Sequence, residues 1–86
     1  MLYQIYGICT DSENVIYEGK DINEAINTEI DFIKNNFASF KETSWYCKYT
    51  EYDVRKNIWV PAMLGGLTRE DLLTNEELLE EILKDT

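Results

Sequence analysis

Histidine is absent from the chain, proline occurs once and glycine four times in 86 residues. Without histidine the commonest general base and nucleophile activator is missing. Ser12, Ser39 and Ser44 stand in no nucleophile-elbow context, and none of the seventeen carboxylates is singled out by its setting. The sequence therefore reads as a non-enzyme. Metal and cofactor motifs are missing as well. "DSEN" (11–14) offers oxygens but lacks the spaced ligands of a calcium loop. Gly65-Gly66 is followed by no Lys-Ser/Thr of a phosphate loop. No cofactor and no metal are expected.

Basic residues are scarce too. Eight Lys and Arg stand against seventeen Asp and Glu, for a net charge of −9 and a pI near 4.3. A phosphate backbone would be repelled at long range, which argues against direct nucleic-acid binding. Anionic membrane surfaces are disfavoured for the same reason. No apolar run reaches the roughly 18 residues that a bilayer span requires. The start, "MLYQIYGIC", lacks the basic stretch and small-residue cleavage site of a signal peptide. A cytoplasmic protein without membrane association is expected. Cys9 and Cys47 fit that compartment as small buried hydrophobes in strand-like segments.

What is present is enough to fold. At 44% hydrophobic and 13% aromatic, residues 1–86 read as one small globular domain. "LYQIYGIC" (2–9) carries apolar groups on both alternating rows, as a strand covered on both sides does. The polar cluster "TDSEN" (10–14) turns the chain, and "VIYEG" (15–19) returns as a hairpin partner. Further on, "SWYCKYTEYD" (44–53) alternates, with Trp45, Cys47 and Tyr49 opposite Tyr46, Lys48, Thr50 and Tyr52. "IWVPAML" (58–64) is its partner strand. Pro61 has no N–H to give, so this strand belongs at a sheet edge or ends the pairing there.

Between the strand pairs lies an amphipathic helix over about 22–37. Asp21 is its N-cap, with Glu24 three residues on in a capping-box pattern. Ile22, Ala25, Ile26, Ile30, Ile33 and Phe37 fall within an arc of about 140°. Glu29 projects into that arc. The expected reading is a stem lying along the edge with its carboxylate in water; a buried carboxylate would instead be a functional candidate.

After the Gly-containing connection 65–67 comes "LTREDLLTNEELLEEILKD", with seven carboxylates against two basic side chains. Thr68 with Asp71 and Thr74 with Glu77 both resemble capping boxes, with Leu67/Leu72 and Leu73/Leu78 as staples. Either one helix runs from about 69 to 84, or a short turn precedes a helix from about 75. In both versions Leu78, Leu79, Ile82 and Leu83 lie opposite Glu76, Glu77, Glu80 and Glu81. The order β-β-α-β-β-α predicts an α+β fold. Its sheet is four-stranded and mainly antiparallel, with one helix packed on it and an acidic amphipathic C-terminal helix.

Two features invite a functional reading. The aromatics on both rows of the later strands fit a sheet sandwiched between two helices, or else an exposed Tyr/Trp interface, or a base-stacking platform that the charge disfavours. The acidic tail fits a solvated helix face, or else an anionic surface matched to Lys and Arg. In size, charge and composition the chain resembles the small acidic proteins of bacteriophages and other mobile elements, some of which block host restriction or CRISPR defences. That resemblance transfers no residue roles. Together these lead to one expectation: a non-enzymatic inhibitor that occupies the basic, nucleic-acid-binding surface of another protein. Glu76, Glu77, Glu80 and Glu81 would supply the electrostatics, with Glu70 and Asp71 nearby, and Tyr46, Tyr52 and Trp59 the apolar anchors. The competing class is an assembly protein that forms a homodimer through the leucine face of its tail, around Leu79 and Leu83. A small metabolite-binding domain is a third class and would need a pocket.

Overall fold

The β-former runs at the start of the chain pair with each other, and the later pair adds to one side of them. The computed structural model describes residues 2–53, 55 and 58–84, with 48–53 and 58–62 described by their backbone alone. Its elements are β1 (Leu2–Cys9), β2 (Glu13–Gly19), α1 (Ile22–Asn35), β3 (Phe40–Asp53), β4 (Ile58–Gly65), α2 (Arg69–Thr74) and α3 (Glu76–Leu83). The four strands form one antiparallel sheet in the order β2-β1-β3-β4. The fold is α+β, and β4, with Pro61, occupies an edge. Of the two versions left open for the tail, the broken one is present, with the short helix α2 in place of a turn before α3. Asn75 takes an extended backbone between them, and its side chain accepts the Leu78 N–H at 3.1 Å. Asn75, not Thr74, is therefore the second cap.

Burial along β1 alternates. Ile5, Gly7 and Cys9 are buried, while Leu2, Gln4, Tyr6 and Ile8 are half-buried on the other row. The buried row faces α1. A Cβ on Gly7 would lie 2.6 Å from Cζ of Phe32, so the ring occupies the space a larger residue would need. Asp21 caps α1 by accepting the N–H groups of Asn23 and Glu24. The helix stops at Asn35, two residues short of expectation. Asn36 closes it, giving both its backbone N–H and its side-chain amide to the Phe32 carbonyl.

Strand β3 begins at Phe40, earlier than the alternation from Ser44 suggests. The register runs Ile8 to Glu42 and then Cys9 to Phe40, so Lys41 is an extra residue in a bulge. That bulge lets Phe40 and Thr43 both be buried although they are an odd number of residues apart. A second bulge leaves Ile16 unmatched in β2. Such extra residues hide the two-residue period from a sequence-based reading.

Ile33, Phe40, Leu72 and Ile82 form the central cluster, with Phe32, Phe37, Leu67, Leu78, Leu79 and Leu83 packed around it. All three helices thus contribute to one layer. A sandwich of the sheet between two helices does not form; among the described residues no helix covers the row of Gln4 and Tyr6. Cys9 and Cys47 are buried and not joined by a disulfide. No helix among the described residues is long and apolar enough to cross a membrane.

The chain leaves β4 and folds back along β3 at Gly65-Gly66. Gly65 has φ +114°, in the region that favours glycine. Thr43 N–H then donates to the Leu67 carbonyl at 2.7 Å, and Leu67 N–H to the Thr43 hydroxyl oxygen at 3.0 Å. A Cβ on Gly66 would lie 1.9 Å from the Thr43 carbonyl oxygen. Arg69 secures the same corner. Its guanidinium donates to the Phe37 and Phe40 carbonyls at 2.5 and 3.1 Å and lies 5.0 Å from the centre of the Phe37 ring. In urea unfolding, Gly66→Ala is expected to cost about 3 kcal/mol or more, because backbone must move. Gly65→Ala, with open space around it, is expected to cost about 1–2 kcal/mol from φ strain. Equal costs would contradict the close approach.

Candidate functional site

Thr68 positions the first acidic helix by accepting the Asp71 N–H at 3.1 Å, while the Asp71 carboxylate accepts the Thr68 N–H at 2.9 Å. This reciprocal box occupies one oxygen of Asp71 in holding the helix start. Glu70, Glu76, Glu77, Glu80 and Glu81 are exposed and form no ion pair among the described residues. Asp71, Glu76 and Glu77 share the lining of an open hollow with Leu67, Leu73 and Leu78. Glu77, Glu80 and Glu81 share another with Lys84. The six tail carboxylates singled out above therefore lie on two consecutive short helices that meet at Asn75. Arg69, the basic residue among them, is turned inward onto the Phe37 and Phe40 carbonyls.

The placement of these charges does not follow from helix stability. Glu76 and Glu77 in the first turn of α3 suit the positive end of its dipole. Glu80 and Glu81 stand towards the other end, and the last turn contains no basic residue. They also form like-charged i, i+4 pairs with Glu76 and Glu77, each unfavourable by about 0.2–0.5 kcal/mol. Lys84, the C-cap, is the cation at that end, four residues after Glu80 and three after Glu81, and leaves the carboxylates in excess.

Of the aromatic candidates, Tyr46 does not join the acidic helices. Tyr46 lies on the sheet row away from the helix layer, packed edge-to-face on Tyr6 with ring centres 5.6 Å apart. Gln4, Tyr6, Glu13, Ser44 and Tyr46 line a shallow hollow there of about 270 Å³. Tyr52 and Trp59 are directly opposite each other in the β3–β4 register; their side chains lie outside the described residues. Beyond Lys48, β3 pairs with β4 and no longer with β1.

A third constellation was not expected as a unit. Glu29 is 7% exposed, and the Ala25–Glu29–Ile33 row, not the centre of the isoleucine arc, faces the sheet. Ile22 and Ile26 are exposed instead. The expectation of a side chain lying along the edge in water is thus overturned: the residue is buried and its Oε2 is tied to the sheet. The reason is a pair of donors on β3. Thr43 Oγ1 donates to Glu29 Oε2 at 2.7 Å, and Trp45 Nε1 donates to the same oxygen at 2.6 Å. The Thr43 hydroxyl receives the Leu67 N–H, so its own proton is directed to the carboxylate. Trp Nε1 donates and cannot accept. Both bonds are short, as charge-assisted bonds are. The inward phase of Trp45 was visible in the alternation; Thr43 stands two residues earlier in the same unbroken row, just before the segment read from Ser44.

Comparison with protein families, curated proteins and solved structures returned no match to this chain. Function is therefore argued from these surfaces. Removing the Glu29 acceptor leaves a buried hydroxyl and an indole N–H unsatisfied, each at about 1–3 kcal/mol. Glu29→Ala is expected to lower unfolding free energy by about 2–5 kcal/mol. Glu29→Gln, which keeps an acceptor, is expected to lower it by under about 2 kcal/mol. Urea unfolding measures both.

Proposed function

We propose that the protein is a non-enzymatic binder that covers a basic, nucleic-acid-binding surface of another protein, presenting the carboxylates of α2 and α3 in place of phosphates. The observation that carries this reading is the position of Glu80 and Glu81. They sit towards the C-terminal end of α3 and repel Glu76 and Glu77 at i, i+4, and Lys84, the C-cap, stands beside them as one cation against four carboxylates. Residues that break a local rule without a local gain mark functional surface more often than chance. Fixed surface charge also speeds encounter with an oppositely charged partner. An inhibitor of a host nucleic-acid-handling enzyme, of the anti-restriction or anti-CRISPR kind, would need this surface and no catalytic groups.

Assembly through the leucine face is the less favoured reading. Ile82 is fully buried, and Leu78, Leu79 and Leu83 pack onto the chain's own Ile33–Phe40–Leu72 cluster. Breaking that face would cost the fold before it cost a dimer. Tyr46 is assigned no part in the acidic surface, because it lies on the opposite side of the sheet.

Glu80→Lys/Glu81→Lys separates function from stability. The double variant is expected to stay within about 0.5 kcal/mol of the parent, because relief of dipole and Glu–Glu repulsion is offset by like charge against Lys84. Its capture of the partner should nevertheless fall at least tenfold. Partners are recovered by pull-down at low and high salt and identified by mass spectrometry. Bound nucleic-acid-handling proteins should be lost at high salt, since exposed charges act over about 8 Å at physiological ionic strength. Undiminished capture by the double variant would dismiss the acidic surface.

A further inference from the structure

The Glu29 carboxylate has more to offer than the fold uses. An ionised carboxylate has about four lone-pair sites on its two oxygens. Thr43 and Trp45 both bind Oε2, and among the described residues Oε1 receives no donor. No described side-chain oxygen or nitrogen is both buried and unpartnered, so Oε1 must touch accessible surface, within the 7% of Glu29 that is exposed. Glu29 lines a hollow of about 310 Å³ together with Trp45, Leu64, Gly65, Gly66 and Leu67. Among the described residues its walls are apolar or backbone apart from Glu29, the ionisable group in its lining. The glycines keep the rim low, since a Cβ at Gly66 is sterically barred and Gly65 is held at positive φ.

We propose that this hollow receives a guanidinium or primary ammonium group, which donates to Glu29 Oε1 while its alkyl stem lies against Leu64 and Trp45. A cation answers three features together. It supplies the missing donor and compensates a carboxylate that is nine-tenths buried, where an uncompensated charge is costly. Its aliphatic stem suits an apolar rim. A neutral ligand of the same length would satisfy the rim and leave the charge. An anion is excluded by Glu29. Leu64, 55% exposed at the edge, is then a contact for the stem. That the cation is an Arg or Lys side chain of the basic partner rests on the function proposed above; the hollow itself does not.

The indole N–H of Trp45 reports on the site, because it shares the carboxylate. The chain has two tryptophans, so its ¹H–¹⁵N spectrum has two indole signals, and Trp45→Phe assigns them. The intact protein is titrated with N-acetyl-arginine amide, with the neutral citrulline analogue and with spermidine. The arginine amide is expected to shift the Trp45 signal saturably at about millimolar concentration, the scale of a fragment-sized contact, and the citrulline analogue at least tenfold more weakly. Tighter binding of spermidine would identify a free amine as the source of the same cation chemistry. Glu29→Gln should abolish the response. Leu64→Lys, at an exposed position that does not test folding, should block it by placing an ammonium in the hollow. Equal responses to the charged and neutral amides, or an unchanged response in Leu64→Lys, would overturn the site. The variant with Glu76, Glu77, Glu80 and Glu81 all changed to Lys should retain the response. Loss there would reduce it to bulk attraction and overturn the site, whereas retention with failed partner capture would remove the acidic-surface function and leave the hollow standing.

Discussion

The hydroxyl of Thr43 takes the Leu67 N–H on one side and gives its proton to Glu29 on the other, while its own backbone N–H holds the Leu67 carbonyl. Three parts of the chain meet at this one residue: the middle of α1, the inward row of β3 and the connection that leads into α2. The arrangement is directional, because each donor and acceptor has one sense that satisfies all of them. Buried networks of this kind are favourable when complete and costly when a member is missing. Gly66 is required beside it for steric reasons, since the backbone passes too close to Thr43 for a side chain. The placement of the terminal helices follows from that contact. With Leu67 fixed on β3, Leu72 and Ile82 can reach Ile33 and Phe40.

One consequence is a molecule with unlike sides. Helices and their leucines fill one layer, and the tail carboxylates ring its exterior. The opposite sheet row carries Gln4, Tyr6, Ser44 and Tyr46, with Glu13 at its margin. Tyr46 is thereby separated from the tail carboxylates, where the sequence reading had combined them in one interface. The Glu29 hollow lies on the helix-bearing side, bordered by the end of β4 and the start of the tail. A basic partner approaching α2 and α3 would meet that hollow near the same edge, through Leu67, which lines both it and the Asp71–Glu77 recess.

Local signals in the sequence were legible where they act within a few residues. Asp21, the Thr68–Asp71 box and the edge position implied by Pro61 all depend on neighbouring backbone groups, and each appears where expected. Legibility failed where a distant residue decides. The bulge at Lys41 changes which side chains of β3 face inward, and nothing in its immediate sequence announces it. Glu29 looked like a side chain for water because carboxylates usually are; Thr43 and Trp45, 14 and 16 residues away, reverse that preference. The tail was ambiguous because two capping signals overlapped, and Asn75, a stronger extended-backbone cap than Thr74, settled the break. Of the candidate site, the acidic half was readable as composition. The hollow was not, since it exists by virtue of tertiary contacts.

The first strand is a central strand. Leu2 pairs with Lys48 and Cys9 with Phe40, so this strand finds its second neighbour only after the chain has grown past residue 48. The β1–β2 hairpin and α1 can form early from local contacts, yet one edge of that hairpin stays unpaired and Glu29 lacks both donors until β3 arrives. Closure of such long loops before contacts reward it is what slows folding. The strand order thus makes β3 the segment that completes both the open edge of β1 and the hydrogen bonds of Glu29.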